Sequence, residues 1–174
     1  MITPAYVRTM AEYNAEMNRR LYGAAARLSD AERRAPRGAF WGSIHGTLTH
    51  ILWGDRQWMS RFDEWPKPAT PIKESAQMIE DFTELRAARE QADADISRWA
   101  AKVDDAWLVR DLTWFSGAAN REVTASLRLL VTHFFNHQTH HRGQVHAMLT
   151  AAGQATGDTD LFCWFRSPGN DRDL

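Results

Sequence analysis

Apolar residues recur at helical spacing in four long stretches of the chain, and one shorter stretch alternates. From Thr3 to Leu28, Met10, Tyr13, Met17 and Leu21 mark one side of a helix. Thr3 can cap it, and Pro4 falls in the first turn, where proline is tolerated. The segment "LSDAERRAPRGAFWG" breaks this pattern with Pro36, Gly38 and Gly42. A second helix is expected from Ser43 to Phe62, with Ile44, Leu48, Ile51, Trp58 and Phe62 on its apolar side. Three prolines in "EWPKPATPIK" exclude regular helix there. The third helix is expected from about Glu74 to Val103, with Met78, Phe82, Leu85, Ile96 and Trp99 within a charged surface. Alternation on both sides of "SGAAN" predicts a short β-hairpin. The fourth helix should run from near Thr124 to near Ala152, with Gly153 as its stop. The aromatic tail "DTDLFCWFRSPG" suits a short helix packed on the rest.

These elements predict an all-α fold. It is a four-helix bundle with a short hairpin before the last long helix and a short C-terminal helix, in one domain over residues 1–174. The ten-residue proline-rich link can span at most about 33 Å. That suffices for a crossover between parallel second and third helices, giving an up-down-down-up order.

The helical pattern also sorts the histidines. Five of the seven lie between His133 and His146. Successive helical residues turn by about 100°. On the fourth helix His141 then falls at the centre of the Leu/Phe face and His137 well inside it. His133 and His140 sit at its margin, where they can tune or gate a site, and His146 points away. His137 and His141 are one turn apart, so both imidazoles can reach one ion. Gln138 follows His137 where a zincin has glutamate, which removes the protease reading. A third ligand should come from another helix. His50 borders the apolar side of the second helix and has Gly54 beside it, whereas His45 falls on the opposite side, at the surface.

Composition narrows the function. The formal charge is −1 and no basic patch is visible, so nucleic acid and anionic membranes are not expected partners. The beginning of the chain does not read as a signal peptide and no run is long enough to span a membrane, so a cytoplasmic location is expected. Cys163 is the single cysteine, which excludes an internal disulfide and a Cys-rich zinc site; it reads as a small buried apolar residue.

With these histidines in place, the chain resembles the DinB/YfiT-like family of metalloenzymes. "AEYNAEMNRRLYGAAARL" is similar to its first helix and "TLTHILWGDRQWMSRF" to its second. "LLVTHFFNHQTHHRGQVHAML" carries the most specific part of the resemblance. The resemblance implies a divalent metal, zinc or nickel, on His50, His137 and His141, and a homodimer. Characterised members include thiol-dependent S-transferases and a maleylpyruvate isomerase. The expected activity is therefore a metal-dependent transferase using a low-molecular-weight thiol and a small-molecule substrate. The alternatives are a hydrolase using metal-bound hydroxide and a non-enzymatic metal- or ligand-binding stress protein. Asn14 and Asn18 could orient a ligand or metal-bound water, although interhelical hydrogen bonding is the simpler role. Trp53 and Trp58 could wall a pocket or fill the core. Arg142 is expected in an intersubunit or structural ion pair, and Gly143 should permit close helix packing.

Overall fold

The structure, a computed structural model, describes residues 2–117 and 119–165. Ala118 of "SGAAN" and the end of the tail, 166–174, lie outside the described residues. The long helices are α1 (Pro4–Ala25), α3 (Ile44–Phe62), α4 (Phe82–Lys102) and α6 (Leu127–Ala151). Short helices α2 (Asp30–Arg34), α5 (Asp105–Leu108) and α7 (Leu161–Phe165) lie between or after them. The hairpin pairs β1 (Asp111–Ser116) with antiparallel β2 (Arg121–Ser126), setting Trp114 opposite Val123.

The direction of each long helix follows from what it buries. One apolar cluster joins Val7 and Met10 of α1, Phe62 of α3, Trp99 of α4 and Leu130 of α6. The other joins Leu21 of α1, Leu48 of α3, Leu85 of α4 and Leu149 of α6. The starts of α1 and α6 thus meet the ends of α3 and α4. The bundle runs up-down-down-up, the order expected from the sequence.

Local capping fixes the boundaries, and some differ from expectation. Thr3, Ser43 and Ser126 each cap a long helix with a side-chain oxygen. The third long helix begins at Phe82, not Glu74. Asp81 caps it by accepting from the Glu84 N–H at 2.8 Å, and Ile72–Gln77 forms a separate 3-10 helix. The last long helix begins at Leu127, because Thr124 and its neighbours are paired in β2. Helix α2 was hidden within the expected break. Its signal is the capping box of Ser29 and Glu32, in which each side chain meets the other's backbone N–H.

Between the two apolar clusters lies a buried ionic layer. Arg89 is paired with Asp55, and its Nη2 lies 2.8 Å from Asp93 Oδ1. Gln138 Nε2 donates to Asp55 Oδ1 at 2.7 Å, and Asn18 Nδ2 donates to Asp93 Oδ1 at 2.9 Å. This layer ties all four long helices together. Among the described residues, no helix is long and apolar enough to cross a membrane.

Candidate metal centre

His50 projects from α3, and His137 and His141 project from consecutive turns of α6. One nitrogen from each ring lies within 4.8 Å of the other two. His50 Nε2 and His137 Nε2 are 3.2 Å apart. Two nitrogens bound to one ion at about 2.0–2.1 Å with tetrahedral angles would be separated by about 3.3 Å. The spacing of this pair therefore fits a single ion held between the His50 and His137 rings.

The surrounding contacts hold the rings in place. His50 is buried and stacks against Trp41 at 3.9 Å and Trp53 at 5.8 Å between ring centroids. Its other nitrogen, Nδ1, lies 2.8 Å from Ser75 Oγ. His141 Nδ1 lies 2.8 Å from Gln144 Oε1, an acceptor, so the imidazole donates there and leaves Nε2 bare. His137 fits beside α3 because residue 54 is glycine. A Cβ at Gly54 would lie 2.8 Å from His137 Cε1.

The electrostatics favour neutral rings. Burial, together with the charges that His137 and His141 would carry, lowers the His50 pKa to about 3. Burial and neighbouring imidazoles lower that of His137 to about 3 as well. Burial also lowers the His141 pKa, although its bond to Gln144 opposes the shift. A metal ligand must be the unprotonated ring. The donor set is thus three neutral nitrogens, which suits a borderline divalent ion and leaves at least one coordination position for another ligand.

The other candidates fall in different places. Asn18 belongs to the ionic layer through Asp93, and Asn14 is fully buried with no hydrogen-bond partner among the described residues for either side-chain polar atom. Gln138 turns to Asp55. Trp53 Nε1 donates to the Thr70 carbonyl at 2.7 Å while its ring faces His50. Trp58 packs on Phe62, Trp114 and His133. His133 and His140 are exposed, with His140 4.8 Å from the His141 ring. His146 bonds Thr156 at 2.7 Å, away from the cluster.

Four expectations are corrected. His45 is 2% exposed, because the link after α3 folds over it and brings the Ile79 carbonyl to 2.9 Å from its Nε2. Cys163 is exposed on the short α7, since Trp164 takes the buried position there. The ion pair expected of Arg142 within the chain is absent among the described residues; its Nη2 donates to Thr139 Oγ1 at 3.2 Å and its guanidinium lies 5.5 Å from the Tyr13 ring. A Cβ at Gly143 would meet nothing within 4 Å, so close packing does not require glycine there.

Sequence reasoning missed Trp41, Ser75 and Gln144. Gln144 stands three positions after His141, so helical spacing could have found it. Nothing in the sequence singles out Ser75, which reaches His50 only because the link folds back.

Protein DinB of Bacillus subtilis (strain 168) is 23% identical over 152 residues, covering 86% of this chain and 87% of that relative. The sequence model of the DinB family matches residues 1–169, nearly the whole length, and the chain belongs to the DinB family.

Proposed function

We propose that His50, His137 and His141 hold a divalent metal ion, zinc or nickel, and that the protein is a metal-dependent transferase using a low-molecular-weight thiol. The observation that carries the metal reading is the convergence of three neutral imidazoles, two of them with nitrogens 3.2 Å apart. Family membership supports it. When bound, the ion supplies positive charge and Lewis acidity that favour the deprotonated form of a thiol.

The chain's own residues supply the rest. Trp41 and Trp53 cover His50 and exclude water there. His140 is exposed beside His141 at the edge of the cluster, and the thiol proton passes to solvent there. The sulfur then forms a bond to an electrophilic carbon as the leaving group departs with its electron pair. A small-molecule electrophile, a homodimeric assembly and a cytoplasmic location belong to the same reading.

The test begins with metal analysis of protein made without a histidine tag. The metal-loaded protein is then incubated with a generic electrophile, with and without thiol. We expect about one metal per chain and product formation that requires thiol. His137→Ala and chelation should each abolish both. Equal turnover without thiol would favour a hydrolase. Metal binding without turnover would favour a binding protein. Full activity in His137→Ala would overturn the metal reading.

A further inference from the structure

The link between α3 and α4, residues 63–81, has no long helix of its own, yet it is pinned to α3 at three side chains. Trp53 Nε1 donates to the Thr70 carbonyl at 2.7 Å. His45 Nε2 lies 2.9 Å from the Ile79 carbonyl. His50 Nδ1 lies 2.8 Å from Ser75 Oγ. Ser75 is fully buried although it belongs to a segment between helices. The third pin differs from the others because it ends on a residue of the histidine cluster.

A neutral imidazole carries one N–H, and a ligating nitrogen must be the bare one. His50 Nε2 faces His137 Nε2 at 3.2 Å, so ligation through Nε2 places the proton on Nδ1. The atom in position to receive that hydrogen bond is Ser75 Oγ. Such an outer partner fixes the ring's tautomer and orientation and raises its basicity. We propose that Ser75 is a positioning residue of the metal centre, accepting the Nδ1–H of His50 and coupling the 63–81 link to occupancy of the site. This rests on the metal reading above.

The coupling has a necessary converse. If anchoring at Ser75 tightens metal binding, metal binding must tighten the anchoring of the link by the same factor. A structural role for Ser75 alone would stabilise the link without making its protection depend on metal.

The experiment compares wild type with Ser75→Ala, Ser75→Thr and His45→Gln. Zinc affinity is measured by competition with a chelating dye, and hydrogen exchange of residues 70–79 with and without zinc. Ser75→Ala should weaken zinc binding by about 10–100-fold, and Ser75→Thr, which keeps the γ-oxygen, should recover most of it. His45→Gln removes a neighbouring pin of the same link and should leave zinc affinity within about threefold, since it spares the His50 bond. Zinc should slow exchange across 70–79 in wild type, and this slowing should shrink in Ser75→Ala. Equal zinc affinity in wild type and Ser75→Ala would overturn the proposal while leaving the metal reading intact. So would equal losses in Ser75→Ala and His45→Gln, which would make the effect one of link folding. Absence of zinc binding in wild type would instead overturn the metal reading, and the proposal with it.

Discussion

The ionic layer and the histidine cluster share two helices, α3 and α6, with Gln138 of the layer next to His137 of the cluster. They satisfy burial in opposite ways. In the layer, Arg89 lies between Asp55 and Asp93, and Gln138 and Asn18 donate to those carboxylates. Its carboxylates meet a cation and amide donors that the protein itself supplies. In the cluster, three bases turn their nitrogens toward one another and no carboxylate among the described residues joins them. The first arrangement binds helices together. The second concentrates lone pairs at one point, which is where an external cation would be stabilised. Burial of polar groups therefore does not by itself mark a site; what matters is whether the protein supplies the opposite partner.

The widest separation between the two regions should come from Arg89→Met. It leaves Asp55 and Asp93 buried without their cation, and breaking such a pair costs about 3–5 kcal/mol. Urea denaturation of the metal-free variant should show that loss. Metal bound per folded chain should stay as in wild type, because Arg89 touches none of the three histidines. A loss below about 1 kcal/mol would show that the layer contributes little to holding the bundle together.

The cluster's half of this contrast was legible beforehand. The 100° turn per residue separates His137 and His141 from His140 and His146, and it places His50 beside Gly54. Those assignments depend only on position along one helix. Failures came where the chain leaves a helix and returns. His45 lies opposite the main apolar side of α3, but the link carries Ile79 over it. The same fold-back places Ser75 against His50. Periodicity describes a helix's faces and says nothing of what a loop brings to them. The ionic layer was invisible for a related reason: Asp55, Arg89 and Asp93 meet only once α3 and α4 are packed side by side.

A smaller change separates affinity from stability. In Gly54→Ala the new Cβ would come within 2.8 Å of His137 Cε1, so the ring must move. Overpacking costs about 1–3 kcal/mol, whereas alanine in place of glycine in a helix gains about 1 kcal/mol. Stability of the metal-free protein should consequently fall by no more than about 2 kcal/mol. Zinc affinity should fall by about tenfold, since the displaced imidazole no longer faces the shared point. Titration of zinc into Gly54→Ala and wild type, paired with urea denaturation of both, checks the two halves. Undiminished affinity would mean that the ring relocates without losing its aim.

The response to mild acid is spread over two pH units, and its sign divides the two regions again. The His50 and His137 pKa values are about 3 in the folded chain against an ordinary value of 6.5. Between those limits the unfolded chain binds more protons than the folded one, so the histidines make stability fall as pH falls. Burial raises the carboxyl pKa values of Asp55 and Asp93 despite Arg89, so protonation there opposes the fall. Subtracting the stability of His50→Gln/His137→Gln from that of wild type, both metal-free, isolates the imidazoles. This difference should decline from pH 7 to pH 5 in chemical denaturation, with a slope that approaches two protons. The ordinary imidazole range would apply if these rings were hydrated in solution. A pH-independent difference would therefore mean that burial does not hold them neutral, and would remove the electrostatic contrast between the cluster and the layer.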